Sequence, residues 1–287
     1  MTDAPPIHRY ITDTLFKEAV ALIDTGNISK LCAHLDEHPQ LVEVTAEFSE
    51  VFFISGTQPG QYFEHPKLLW FVAENPIRNN ALPYNITGIA QCIIDYQRAI
   101  STAALQHDLD YTLSLVTSGK VPRKSGLLNK LISVLVRNGA DPNCADAALA
   151  HGEQEAVQVL LDHGAKVNLL IAAGMGLIGH LQRLVKDADA ETRQKALSCA
   201  ANCRQPKSCR ILIEGGADPN QFNPEGFHAD CTSFHCAVAT GSHETVKALL
   251  SCGADSTIKD TMHDGDALDW ARHFGHKVIV KQLQDAI

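Results

Sequence analysis

The sequence predicts an all-α solenoid of about eight helix-turn-helix repeats in one domain, and three observations predict it. An eight-residue phrase occurs four times, as "VRNGADPN" ending at Asn143, "LDHGAKVN" at Asn168, "IEGGADPN" at Asn220 and "LSCGADST" at Thr257. Each copy closes an apolar stripe of helical spacing. A second, shorter helix pattern lies upstream of each stripe.

From the amino end, residues 1–12 form an expected flexible lead, and "FKEAVALIDTGNISKLCAHLDEHPQLV" reads as a first repeat with Gly26 at the helix break. Residues 43–66 interrupt the pattern. There "FSEVFFIS" and "QYFEH" flank the turn signal Thr57-Gln58-Pro59-Gly60, so an extended β-hairpin insertion is expected. Its rings, Phe48, Phe52, Phe53, Tyr62 and Phe63, either cover the end of the apolar stack or bind. The segments "KLLWFVAENP" and "ITGIAQCIIDY" read as the two helices of a stretched repeat, and "YTLSLVTSG" with "GLLNKLISVLVRNGA" as those of the next. Their long inter-helix loops bring Arg78, Arg123 and Lys124 to one edge, read as a solvated loop cluster with an anion site as the alternative.

The stripes that follow are Leu131, Ile132, Leu135 and Val136; Val157, Leu160 and Leu161; Ile211, Leu212 and Ile213; and Val246, Leu249 and Leu250. Gly139, Gly164, Gly216 and Gly253 stand where a helix C-terminus takes a left-handed residue, which glycine adopts without steric cost. After them Pro142 and Pro219 cannot continue a helix, and the Asp and Asn side chains bond their own backbone in a turn.

The clearest unit is "CTSFHCAVATGSHETVKALLSCGAD", with Thr232 as N-cap, Ala237 and Ala239 keeping the first helix thin and Gly241 breaking it. It resembles the ankyrin repeat, with Thr232-Ser233-Phe234-His235 at the Thr-Pro-Leu-His motif and Gly253-Ala254-Asp255 at the Gly-Ala-Asp ending. The final "GDALDWARHFGHKVIVKQL" fits the same frame, with Asp266 at the cap and Gly275-His276 at the break. The segments "HPKLLWFVAENP" and "GDALDWA" also resemble bacterial ankyrin-repeat proteins of unknown function. The resemblance implies a structural hydrogen bond from His235 to Thr232, and short β-hairpin fingers between one repeat's ending and the next cap.

Run backwards, the frame places caps at Lys195, Val167 and Asn143. The intervals are 24 residues from Asn143 to Val167, 28 to Lys195, 37 to Thr232 and 34 to Asp266, against about 33 in the family. The middle repeats are therefore expected to lack fingers and the carboxy-terminal ones to keep them. In the family, finger tips and the two residues before the inter-helix glycine face a concave groove. That maps the groove to Asn202, Thr240, His273 and Phe274, beside fingers that hold Phe222, Phe227, His228, Met262 and His263. For Phe222 and Phe227 the alternative is that the rings fold down onto their own loop.

Composition limits the function. A chain of 287 residues with 45% hydrophobic and 20% charged residues and no long apolar run reads as a well-cored soluble protein. Its opening lacks a basic region followed by an apolar core, so a cytoplasmic location is expected. Nine cysteines in irregular positions fit reduced thiols, and a net charge of −9 disfavours nucleic acid. Two metal rivals, Cys199/Cys203/Cys209 and His228/Cys231/His235/Cys236, have unsuitable spacing. Gly174, Gly176 and Gly179 lack the preceding strand of a phosphate loop. No nucleophile, base and acid converge, so a non-catalytic, monomeric protein-binding module without a cofactor or a membrane contact is expected. The alternative is a ligand-sensing or enzymatic site in the irregular amino-terminal loops and hairpin.

Overall fold

Several helices begin at a side-chain cap in a computed structural model that describes residues 10–49, 63–100 and 104–285. The chain divides into two compact units, residues 1–144 with 162–165 and residues 145–161 with 166–287. No described helix is long and apolar enough to cross a membrane.

In the first unit, Asp13 caps α1 (Thr14–Asp24) by accepting from the Phe16 amide at 2.8 Å. The helix buries Phe16, Ala19, Val20 and Ile23, one face at helical spacing. Asn27 caps α2 (Ile28–Glu37), which buries Leu31 and Leu35. The predicted helix in "KLLWFVAENP" is instead a 3₁₀ segment, Leu68–Ala73, with every side chain buried. Six residues between Lys67 and a left-handed Glu74 leave no room for a longer helix. Next come α3 (Ile86–Ile100), α4 (Leu105–Ser118), the short α5 (Lys120–Lys124) and α6 (Leu128–Arg137).

Most of the expected hairpin, including Phe52, Phe53, Tyr62 and the Thr57–Gly60 turn, lies outside the described residues, as do residues 1–9. The ring of Phe63 is fully buried and meets Phe71 edge-on at 5.3 Å, with Phe16 against the same Phe71 at 5.8 Å.

The basic loop cluster requires correction. Arg78 is buried, with its guanidinium 2.6 Å from Asp24 and 3.1 Å from Glu74, and Arg123 and Lys124 belong to α5. Carboxylates placed on either side of Arg78 compensate its charge where solvent does not.

The second unit contains α7 (Ala145–Ala150), α8 (Gln154–Asp162), α9 (Leu169–Gly174), α10 (Ile178–Leu184), α11 (Ala190–Asn202) and α12 (Pro206–Glu214). It continues with α13 (Ser233–Ala239), α14 (His243–Ser251), α15 (Ala267–His273) and α16 (Lys277–Gln284). The first helices of successive pairs pack in a row, α9 on α11, α11 on α13 and α13 on α15, and so do the second helices, α10 on α12, α12 on α14 and α14 on α16. Each pair therefore buries its apolar face against its neighbours.

Thr232 and Asp266 are N-caps with reciprocal capping boxes, as the repeat frame requires. Lys195 is not a cap: it lies inside α11, whose N-cap is Asp189, bonded to the Thr192 amide at 2.6 Å. The cap before α9 is Asn168, one residue after the expected Val167.

The repeated phrase acts within copies and between them. In three copies Asp141, Asp218 and Asp255 accept from the amide two residues on, at 2.9, 2.8 and 2.8 Å, closing the expected turn. Asn220 then donates to the Gly253 carbonyl at 3.0 Å and accepts from the Asp255 amide at 2.7 Å, tying one copy to the next. Gly253 has φ +87°, as a helix end of this kind requires.

Candidate functional site

The loop between α14 and α15 (residues 252–266) stands where the sequence frame expects a β-hairpin finger; it contains no strand and is built around one carboxylate. Asp260, only 2% exposed, accepts from the amides of Met262 at 2.9 Å and His263 at 2.6 Å through Oδ1, and from Gly265 at 3.0 Å through Oδ2. Its Oδ2 also accepts from the indole N–H of Trp270 at 2.8 Å, which fastens the loop to α15. Gly265 lies so close that a Cβ there would stand 3.1 Å from Asp260 Oδ2 and 3.4 Å from the Trp270 ring. The loop before α13 adds a tie, from the Thr261 amide to the Asp230 carbonyl at 2.9 Å.

Burial pushes the Asp260 carboxyl up, but the four donors outweigh it and hold its pKa at about 2. A depressed pKa contributes stability above the ordinary aspartate value of about 4 and loses it as pH falls toward 2. Asp260→Asn is expected to lack that part of the acid response, and Asp260→Ala to cost about 2 kcal/mol for loss of charge-assisted bonds. Thermal denaturation between pH ~2 and ~7 checks both.

Trp270 is held from the other side by His235, whose ring lies edge-on at 5.1 Å. His235 Nδ1 is 2.9 Å from the Thr232 hydroxyl, and burial lowers its pKa, keeping the imidazole neutral. One turn beyond Trp270, Phe274 is 48% exposed, with ring centroids 6.0 Å from Trp270, 5.0 Å from His273 and 6.0 Å from His276. The 252–266 loop, α15 and Asp230 of the loop before α13 line a cleft of about 500 Å³, formed by Trp270, Phe274, His263 and His273 with Asp230, Asp264, Gly265 and Asp269.

Of the groove residues expected from sequence, His263, His273 and Phe274 meet in this cleft, and Met262, 66% exposed, stands next to it on the loop. The others do not join it. Asn202 is half-buried at the end of α11, and Thr240 caps α13 with its hydroxyl on the Ala237 carbonyl at 2.8 Å. Phe222 is half-buried and pairs with Thr232 in an isolated bridge. His228 donates from Nε2 to the Ala150 carbonyl at 2.9 Å and meets His151 edge-on at 5.4 Å.

Phe227 is a correction: its ring is only 6% exposed, so it is not a solvent-facing finger aromatic. The loop turns inward there, with the Phe227 carbonyl accepting from the buried Ser198 hydroxyl at 3.2 Å. Burying the ring removes apolar area from water, the larger gain for a phenylalanine.

The sequence frame does not place Trp270, Asp230, Asp264 or Asp269 in the groove, yet all four line the cleft. The signal for Trp270 was its i, i+4 spacing from Phe274, which puts both rings on one helix face. Asp269 has two roles: its Oδ2 accepts from the Asp266 amide at 3.5 Å, completing the capping box of α15, and it lines the cleft.

Residues 169–260 match the family model described as ankyrin repeats, in three copies. The chain carries ankyrin repeats. The match covers α9 to α14 and the following loop as far as Asp260, and the cleft lies where this ankyrin array meets α15. No curated protein matches the chain.

Outside the ankyrin array, two smaller depressions mark the first unit, of about 290 and 320 Å³. The first is lined by His107, Asp110, Tyr111 and Cys144 among others, but burial pushes the Cys144 thiol up to about 12, which keeps it protonated. Burial likewise raises Cys203 to about 12. Among the described residues no group of three or more His, Cys, Asp or Glu is placed to hold a metal ion. In the cluster around Cys231, the Cys231 and Cys236 sulfurs lie 3.8 Å apart while His228 is engaged with Ala150.

Proposed function

We propose that the chain is a non-catalytic protein-binding module, a single ankyrin-repeat domain of about eight repeats in the cytoplasm, acting as a monomer. Its contact centres on the cleft between the 252–266 loop and α15. The observation that carries this reading is Phe274, 48% exposed beside Trp270 at the mouth of a cleft of about 500 Å³. Large rings held at a pocket mouth are the residue type that anchors protein interfaces. Ankyrin repeats in general serve protein–protein interaction, which agrees with it.

The test is quantitative binding of a partner isolated from the native cell. Phe274→Ala is expected to weaken the complex by over ~2 kcal/mol, about thirtyfold, with little change in melting temperature because half of the ring is already in water. Unchanged affinity would move the contact to another part of the chain. Phe227→Ala would not serve as a companion mutation, since removing a buried ring perturbs folding.

A further inference from the structure

We infer that the cleft receives an arginine side chain of the partner protein. The inference rests on the interaction reading above and adds the chemistry of what enters. Among the described residues that line the cleft, three are carboxylates, Asp230, Asp264 and Asp269, and none is a lysine or arginine. Two of the carboxylates pair with cations that do not line the cleft, Asp264 with Lys259 at 2.8 Å and Asp269 with Arg272 at 3.5 Å. All four of those side chains are more than half exposed, so these pairs are weak and open to exchange. The lining thus combines three carboxylates with the rings of Trp270 and Phe274, complementary to a cation.

The rings select the kind of cation. Trp270 is fixed by its hydrogen bond to Asp260 and by the edge of His235, and Phe274 lies 6.0 Å from it at an interplanar angle of 55°. A planar guanidinium stacks on such faces and forks onto carboxylates at its edge, two contacts that a compact ammonium makes less well. The free volume of about 500 Å³ exceeds a single side chain and admits the flanking residues of an extended segment. The occupant is therefore a short stretch of polypeptide that presents arginine, rather than a free cation.

The probe is a capped Gly-Arg-Gly peptide, read by the indole N–H resonance of Trp270, assigned by its loss in Trp270→Phe. A saturable shift is expected with arginine, with affinity reduced about tenfold or more when citrulline replaces it, which keeps the shape and removes the charge. Asp264→Asn with Asp269→Asn is expected to weaken the peptide by about tenfold as well, and asparagine tolerates the φ of +55° found at Asp264. Citrulline or lysine peptides that bind as tightly as arginine would overturn the assignment, as would an unaltered affinity in the double variant or no saturable shift at all. The citrulline comparison uses the unmodified protein and does not depend on how the variants fold. A partner whose binding needs Phe274 but that cross-links to the cleft through a segment without arginine would overturn this inference and leave the binding function standing. Partner affinity that ignores Phe274→Ala while the arginine peptide still shifts Trp270 would do the reverse.

Discussion

Arg78→Ala is expected to lower the unfolding free energy by about 3–5 kcal/mol, measured by equilibrium denaturation, because it leaves two carboxylates without their cation in a site closed to water. The side chains of Arg78 and Glu74 are 1% and 0% exposed, and Asp24 only 10%. Arg78 donates to Asp24 at 2.6 Å and to the Phe71 carbonyl at 2.9 Å, and its guanidinium sits 5.1 Å over the Phe71 ring. Glu74 in turn accepts from the amides of Arg78 at 2.8 Å, Asn79, and Asn80 at 2.9 Å, so the carboxylate that holds the arginine also shapes the loop. Arg78 Nε and Nη1 are buried without a hydrogen-bond partner, so the assembly is not fully compensated. Removing all three charges together, as Arg78→Met with Glu74→Gln and Asp24→Asn, is therefore expected to recover part of the loss. A loss below about 1 kcal/mol in the single variant would mean that water reaches the carboxylates.

Arg78 also shows where the amino-acid sequence stops being legible. A basic residue in "ENPIRNNALPYN", among prolines and asparagines, has the composition of a solvated loop. One of its two carboxylate partners, Glu74, is local, but the other, Asp24, lies 54 positions upstream, a contact between distant segments that no local pattern records. The opposite holds for the repeats. Thr232 and Asp266 are caps by rules that act over three or four residues, and the Asp-to-amide turns of the repeated phrase act over two. Lys195 lies between these cases: a cap inferred from a fixed repeat length gave way to Asp189, which has its own local signal in the Thr192 amide.

The cleft divides in the same way. His273 and Phe274 end a first helix, and their place follows from the helix break at Gly275. His263 follows from the expected finger. The carboxylates do not, because Asp230 reaches the cleft from the loop before α13 through the tie between Thr261 and the Asp230 backbone, again a contact between repeats. Phe227 shows that an aromatic in a polar loop has no predictable direction until its surroundings are known.

Leu249→Ala is expected to cost about 2–5 kcal/mol, the range for deleting a large aliphatic side chain from a packed core. Leu249 is fully buried on α14, and α14 packs against α12, α13 and α16, so the cavity opens between neighbouring pairs of the array. In a stack held by nearest-neighbour interfaces the damage stays local. Hydrogen exchange is therefore expected to quicken at the amides of α13, α14 and α16, while those of α1 and α2 in the first unit keep their protection. Leu250, the next residue, is only half-buried, and Leu250→Ala is expected to cost clearly less in the same denaturation experiment. Equal costs at the two positions would place the buried face of α14 elsewhere, and a loss at Leu249 under about 0.5 kcal/mol would mean that its side chain is not part of the core that joins the repeats.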